Sequence, residues 1–227
     1  RTDTAETLLP QITDTDVFVE LAQHTVDVAI QSGAQYADVR IGETQELGVG
    51  QGGYRPDIRL SYERGYGVRV LVGGTWGFSH GLTTSREAMA HAARAAVARA
   101  KGYASVLPSS ATLAPATVVT DTWAGPCEID PFQVPVYDQL DLMNSYCLAS
   151  GRVLGALSPQ MSMRWSRRAE VFASSEGTCL TQQVTASRPY FRIVGYQYPE
   201  FPYQLGGFEV FLRPGVEERI VAFTEDR

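Results

Sequence analysis

The sequence contains few of the residues that build a local metal-binding motif. Its three histidines, His24, His80 and His91, do not stand in an HExxH, an HxH or a pair four residues apart. Zinc sites within one helix or loop depend on such spacing, because the ligands must converge on one ion. We therefore predict packing or surface roles for the histidines and no metal ligand among them, while a site assembled from distant parts of the chain stays open.

Cysteine is equally sparse. Cys127, Cys147 and Cys179 are odd in number and far apart, and the sequence has no CxxC, so neither a zinc knuckle nor a redox motif is indicated. Free cysteine is among the most buried residue types, and the cytosol keeps thiols reduced. We expect three reduced, mostly buried thiols in a cytoplasmic protein.

Long apolar runs and a basic excess are also missing. Residues 68–72 are interrupted by Arg69, and no run approaches the ~18–20 apolar residues that span a bilayer. Residues 1–11 do not read as a signal peptide, although a first residue other than Met leaves a removed export signal open. The net charge of -6 disfavours a dedicated nucleic-acid binder, which needs clustered Lys and Arg. We predict no membrane contact and no nucleic-acid partner; a polypeptide partner stays open.

What is present is enough apolar residue for a core, arranged in two early helical segments. Hydrophobic residues make up 44% of the 227 residues. Residues 17–31 repeat at helical spacing, end before Gly33 and follow three N-cap candidates, Thr13, Asp14 and Thr15. Residues 88–100 are rich in alanine, and Thr84 with Glu87 has the spacing of a capping box.

A third helix is predicted at residues 136–153, with Leu140, Met143 and Cys147 on one face. Alternating or glycine-bounded segments predict strands at residues 36–44, 57–62, 117–122, 161–166, 169–174, 179–187 and 190–198, and a hairpin at 65–79. A glycine-rich break is predicted at 48–53, after the first strand. The hairpin turns at Gly73 and Gly74, and further turns are expected at 128–132 and 175–177.

This order of elements is typical of an α+β fold with largely antiparallel sheets. We predict an N-terminal domain at residues 1–105, with helices packed on a mixed or antiparallel sheet. A linker rich in Ser, Thr, Ala and Pro follows at residues 106–116. Residues 117–227 then form a helix and the start of a β-rich region.

No local motif assigns a catalytic, cofactor-binding or metal-binding residue. The glycines at 65–67 and 73–74 bracket a hairpin rather than opening a helix, so turn geometry is favoured over nucleotide binding. The carboxylates Asp38, Glu43, Glu128 and Asp130 are read as solvated surface charge, although a dyad formed in the fold stays open. The sequence has no GxSxG and no SxxK. Aromatic residues become dense after residue 190, which favours a β core over a peptide-binding sheet edge.

Five short segments share an order and spacing that points to a known family. They are YADVRI at residues 36–41, GYGVRV at 65–70, GGTWGF at 73–78, EIDPF at 128–132 and FASSEG at 172–177. The first three, with the Ala/Arg-rich helix up to Lys101, resemble the N-terminal domain of the TldD/PmbA family, once called modulators of DNA gyrase. The last two are similar to the "DPF" and "NSEG" stretches of its middle region. The resemblance covers about residues 17–210.

The resemblance implies a cytoplasmic, prokaryotic zinc metallopeptidase that acts on unfolded or small peptides. Its members form homodimers, or heterodimers of a TldD-type and a PmbA/TldE-type subunit. The family's zinc ligands stand in an HExxxH helix and further downstream, in the C-terminal half, and this sequence has no HExxxH. We therefore expect no cofactor in this chain, zinc in the full-length family member, and no activity of the chain alone.

Two readings of the function follow from the resemblance. In the first, the chain is the N-terminal and middle part of a metallopeptidase, contributing the peptide-access cavity and dimer contacts. In the second, it is a non-catalytic partner or peptide-binding scaffold of the PmbA/TldE type. A third, direct action on gyrase or DNA, is disfavoured by the acidic charge. Residues 128–131 lean towards the TldD type.

Overall fold

The structure, a computed structural model, describes residues 3–52, 55–106, 111–152, 156–197 and 201–209. The helices are α1 (Ala5–Leu8), α2 (Thr15–Gln31), α3 (Arg86–Ala104) and α4 (Val136–Gly151). The strands are β1 (Tyr36–Gly52), β2 (Arg55–Val72), β3 (Thr75–Gly81), β4 (Thr120–Ala124), β5 (Ala156–Ser174), β6 (Cys179–Gln197) and β7 (Phe201–Glu209). The predicted α+β class is confirmed.

All seven strands belong to one sheet with the order β3-β2-β1-β5-β6-β4. The pairs are antiparallel except for β4, which runs parallel to the start of β6, while β7 pairs with the end of β6. Strand β1 thus pairs with β2, which precedes the predicted linker in the sequence, and with β5, which follows it. The proposed division into domains at residues 106–116 stays a prediction.

Several predicted breaks within the strands are wrong. Strand β1 runs through the glycines at 48–52, β2 unites the segments 57–62 and 65–72, and β5 and β6 are each one strand. The reason is that β1, β5 and much of β6 have partners on both sides. Their ladder hydrogen bonds hold glycine and polar residues extended where local propensity predicts an interruption. Strands of 17–19 residues span roughly 55–60 Å.

The predicted turns are confirmed, and so is the helix predicted at residues 17–31, which is α2. Gly73 and Gly74 have φ angles of 57° and 75°, which suits the tight turn between β2 and β3. The Asp14 side chain accepts from the N–H of Asp16 at 3.0 Å and caps α2. Gly33, with φ of 104°, follows the end of that helix. The strand predicted at 117–122 lies slightly later, at Thr120–Ala124.

The predicted cap of α3 is wrong by one residue. Ser85, not Thr84, precedes the helix in an extended conformation, and its hydroxyl accepts from the N–H of Ala88 at 3.3 Å. The alanines of α3 lie directly on β3 at Gly77. A Cβ atom on Gly77 would stand 2.2 Å from the Ala96 oxygen, so only glycine permits this approach.

The hydrophobic core forms two clusters on one face of the sheet. The first joins α2 and α3 to one half of β1, β2 and β5, which we call the upper half. The strands contribute Val39, Ile41, Val68, Val70 and Val171 to it. The second joins α1, α4 and Phe132 to the lower halves, with Leu47, Val49 and Met161 from the strands. The predicted inner face of α4, formed by Leu140, Met143 and Cys147, is buried there and is confirmed. None of the described helices is long and apolar enough to cross a membrane.

Candidate functional site

A belt of polar side chains separates the two hydrophobic clusters. Glu43 of β1 is fully buried and accepts hydrogen bonds from the backbone N–H and the hydroxyl of Thr13, at 2.7 and 2.6 Å. Its carboxylate also accepts from the Tyr62 hydroxyl at 3.0 Å and from Arg64 Nη1 at 3.2 Å. Burial, followed by the hydrogen bond to Glu43 and its charge, raises the pKa of Tyr62. These hydrogen bonds replace the water that the Glu43 carboxylate loses on burial.

A second row of the belt follows two residues along β1. Gln45 Nε2 donates to the Pro10 carbonyl, and Arg167 of β5 donates to Gln45 Oε1 at 3.5 Å. Arg167 also forms an ion pair with Asp130, and its guanidinium lies 4.6 Å from the centre of the Phe132 ring. Because the polar groups of the belt bind one another and the backbone of the same chain, we assign the belt a structural role.

The carboxylates therefore differ from the surface charges predicted for them. Asp38 is only 4% exposed and Glu43 is 0% exposed, and they lie on opposite faces of β1, since one number is even and the other odd. Asp38 pairs with Arg69, whose Nε and Nη2 donate at 2.9 and 2.7 Å. Glu128 is exposed as predicted, and Asp130 is partly buried against Arg167. No two of the four form a carboxylate dyad.

The opposite face of the sheet carries neither hydrophobic cluster, and no described helix packs on it. We call it the open face. It is formed by the even-numbered residues of β1, β5 and β6 and the odd-numbered residues of β2, which lie opposite one another in register. Trp76, Phe78 and His80 of β3 extend it, since their register partners Leu71, Arg69 and Gly67 belong to it.

The upper end of the open face is an aromatic and charged cluster. Tyr36 meets Trp76 edge-on at 6.0 Å, the Arg69 guanidinium lies 4.8 Å from the centre of the Trp76 ring, and Phe78 stacks on His80. Burial, together with the charge of Asp38 and a hydrogen bond to it, raises the pKa of Tyr36 to about 12. Tyr36 therefore stays neutral at physiological pH, and Trp76 and Phe78 remain exposed to a ligand.

Lower on the open face lies a small hollow of about 210 Å³ between β5 and β6, lined by Ser166, Arg168, Glu170, Gln182 and Val184. Glu170 Oε1 is shared by Arg168 at 3.5 Å and by Arg40 at 3.8 Å. Arg40 also covers the Phe172 ring, 5.1 Å from its centre. Both arginines are more than half exposed, so two cations and one carboxylate face the solvent here.

The three histidines lie in separate surroundings. His24 on α2 meets Arg86 at 3.2 Å, His80 stacks on Phe78, and His91 borders a broad hollow of about 430 Å³ at the start of α3, beside Tyr66 and Glu87. Among the described residues, no group of three or more His, Cys, Asp or Glu is placed to hold a metal ion. The residues described thus do not fit the zinc site that the family resemblance implies elsewhere in the protein.

None of the three cysteines, all of them described by the structure, forms a disulfide, and they are less buried than predicted. Cys147 is buried in the second cluster, and burial raises the pKa of its thiol. Cys179 is partly buried and Cys127 is exposed, so the prediction of mostly buried thiols is wrong. The reason lies in the elements: Cys127 stands in a loop before the turn at 131–133, where no helix or strand face can bury it.

The aromatic residues after 190 divide between the faces of β6. Phe191 packs against the second cluster, as a core residue should, and Tyr190 is 37% exposed on the open face. Strand β7 occupies the edge of β6 beside them. The other aromatic side chains of this segment lie outside the residues whose side chains the structure describes.

The comparisons with known proteins agree with this architecture. Residues 37–100 match the family model described as PmbA/TldA metallopeptidase domain 1. The chain carries the first domain of the PmbA/TldD family. The matched residues run from β1 through the turn at Gly73 and Gly74 to α3, and they supply part of the first hydrophobic cluster. No curated protein sequence matches the chain.

Solved structures of similar fold extend the likeness to most of this chain. A proposed modulator of DNA gyrase from Bacteroides thetaiotaomicron matches 85% of this chain and 44% of its own, with a TM-score of 0.66 and 15% identity. Another from Thermotoga maritima matches 84% and 42%, with a TM-score of 0.60 and 11% identity. TldE from Thermococcus kodakarensis matches 78% and 40%, with a TM-score of 0.56 and 13% identity. The chain thus spans less than half the length of these proteins.

Proposed function

We propose that the chain is the N-terminal and middle part of a PmbA/TldD-type metallopeptidase, in which its open face forms a wall of the cavity that admits peptide. The observation that carries this proposal is the one-sided sheet. The described helices cover one face of the sheet, and the other face presents exposed aromatic and arginine side chains. Such side chains contact polypeptide well, because they combine apolar area with hydrogen-bond donors.

The zinc and its ligands would come from another part of the family protein or from a partner subunit, since the described residues offer no ligand set. This chain's own contribution would be to bind and orient the peptide and to contact a second family subunit. The similarity to TldE favours a second candidate, in which the chain serves a non-catalytic subunit with the same peptide-binding wall.

Peptide binding and cleavage separate these roles. We expect the chain alone to bind a fluorescently labelled unfolded peptide, measured by anisotropy, without cutting it, as followed by mass spectrometry. Adding the zinc-bearing PmbA/TldD subunit of the same organism should give a dimer by sedimentation and should start cleavage. Absence of peptide binding, both alone and in the dimer, would contradict the proposal.

A pair of matched variants tests the face itself. Phe78→Ser removes an exposed aromatic ring from the open face, where Phe78 is 54% exposed. Leu148→Ser removes an equally exposed apolar side chain from α4, on the other side of the sheet. We expect the first to weaken peptide binding several-fold and the second to leave it unchanged. The coding sequence downstream of residue 227 distinguishes the candidates: an HExxxH in frame favours the catalytic subunit.

A further inference from the structure

The open face has a charge of opposite sign to the chain as a whole. The chain carries a net charge of -6. Among the residues whose side chains the structure describes, the open-face positions of the four central strands hold seven arginines and five carboxylates, namely Arg40, Arg59, Arg69, Arg164, Arg168, Arg188, Arg192, Asp38, Glu46, Asp57, Glu63 and Glu170. At an ionic strength of 0.15 M, a charge acts over only about 8 Å. A ligand on this face therefore experiences the arginines more than the acidic helical side.

The excess positive charge lies on β5 and β6, whose open-face positions hold four arginines and one carboxylate. Within the part of the chain that the structure describes, Arg164 has no ion-pair partner. Its neighbours in register are Gly48, which has no side chain, and Arg188. Across Gly48 lies Arg59, so three arginines stand in one row of the sheet. Arg59 forms an ion pair with Asp57 at 2.9 Å and Arg188 has a partner of its own, so Arg164 is the arginine of this row whose charge an anionic ligand can offset.

A second part of the excess positive charge lies at the hollow between β5 and β6, where Arg168 follows Arg164 by four residues. Arg168 and Arg40 share one oxygen of Glu170 at distances above the normal hydrogen-bond range, which leaves donor capacity on both guanidinium groups. The Ser166 hydroxyl and the Gln182 amide border the same hollow. Guanidinium, hydroxyl and amide donors together suit a carboxylate.

The two arginines are spaced for an extended chain. Arg164 and Arg168 lie on one face of a regular strand, so they are about 13 Å apart. An extended peptide laid along β5 has the same rise per residue and the same alternation. Its residues i and i+4 point to one side and match this spacing, whereas residues i and i+3 point to opposite sides.

We propose that the open face binds an extended acidic segment of the peptide substrate, whose carboxylates at positions i and i+4 pair with Arg164 and Arg168. This inference rests on the proposed peptide-binding function and adds the class of peptide. The occupant is a polypeptide rather than a nucleic acid, because the whole chain is acidic and the face has only a small excess of arginine.

The test uses four unstructured peptides of equal length and the chain as it is. One has Asp at i and i+4, one has Asp at i and i+3, one has Asn at i and i+4, and one has Lys there. Anisotropy should give a dissociation constant about tenfold lower for the i, i+4 Asp peptide than for its Asn counterpart, since two exposed ion pairs contribute. Raising the salt to 0.5 M should remove most of this difference.

The double variant R164Q/R168Q should abolish the preference for Asp, and R94Q, which removes an exposed arginine from α3, should leave it intact. Equal binding of Asp and Asn peptides would overturn the acidic preference while leaving the proposed function standing. No binding of any peptide would end both. Loss of a self-dimer in R164Q/R168Q, or tighter binding of single-stranded DNA than of the Asp peptide, would show a different occupant and overturn the inference. Because the peptide series needs no variant, it decides the question even if the variant unfolds.

Discussion

At the residue scale, Glu43 shows how position along a strand decides the role of a charge. It lies between two apolar clusters, on the face that the helices cover, and it is fully buried. A buried carboxylate is tolerated only when donors replace its water, and here Thr13, Tyr62 and Arg64 do so. Glu46, three residues later, points to the open face and accepts a hydrogen bond from the Ser61 hydroxyl at 3.5 Å.

We expect Glu43→Ala to lower the free energy of unfolding by about 2–4 kcal/mol, because it leaves partly buried donors of Thr13 and Tyr62 without an acceptor. Arg64 is 38% exposed and can turn to water, which keeps the loss from being larger. Glu46→Ala on the same strand should cost less than about 1 kcal/mol. Urea denaturation measures both. Similar losses in the two variants would mean that Glu43 is not held as described.

At the element scale, helix α3 is specified by its first residue and by its contact with the sheet. The sequence contains two candidate caps in succession, Thr84 and Ser85, and propensity does not separate them. The choice falls on Ser85, because β3 ends at Gly81 and the following loop brings the Ser85 hydroxyl to the N–H of Ala88. The small side chains of α3 then meet β3 at Gly77.

The cap can be tested by exchange of one residue at a time. Ser85→Ala should lower the free energy of unfolding by about 1 kcal/mol, since the N–H of Ala88 loses its acceptor. Thr84→Ala should change it by less than about 0.5 kcal/mol. Thermal or urea denaturation gives both values. A larger loss for Thr84→Ala would restore the capping box as the start of the helix.

The contact between α3 and β3 gives a second test. Gly77→Ala would place a methyl group 2.2 Å from the Ala96 oxygen and 2.9 Å from Ala100 Cβ, so α3 would have to move. We expect a loss of at least about 2 kcal/mol. Gly102→Ala, in the same helix with open space around it, should be neutral or stabilising by up to about 1 kcal/mol. Unfolding curves that rank the two variants the other way would contradict this packing.

At the scale of the whole molecule, the long strands join the two hydrophobic clusters. Strands β1 and β5 pair without interruption from Asp38–Ser174 to Gly52–Gln160, past the polar belt. Unfolding of either cluster would therefore break half of the continuous ladder of hydrogen bonds between β1 and β5, so the two halves depend on each other. The open face is a property of this scale too, since it exists only because all the described helices lie on one side.

We expect the two clusters to unfold together. Hydrogen exchange measured at Val39 and Ile41 in the first cluster and at Leu47 and Val49 in the second should give protection within about tenfold, equivalent to about 1.4 kcal/mol. Much weaker protection in one cluster would instead support the predicted division near residues 106–116. Urea transitions followed by near-UV and far-UV circular dichroism should coincide if unfolding is cooperative.

The sequence alone determined what depends on neighbours along the chain. Short segments of sequence determine the start of α2, the turn at Gly73 and Gly74, the inner face of α4 and the family resemblance. Caps, positive φ angles and helical periodicity are local properties. The lengths of the strands were not predictable in this way, since glycines inside β1 are held by partners far away in sequence.

Only the tertiary structure decided which charges are buried and which share a face. Asp38 and Glu43 look alike in the sequence, yet each is buried on a different face of β1 against a different arginine. Arg59 lies more than one hundred residues before Arg164 in the sequence, and strand register brings these two arginines and Arg188 into one row. Strand pairing sets both outcomes, because a shift of one residue would exchange the covered and the open face of every strand.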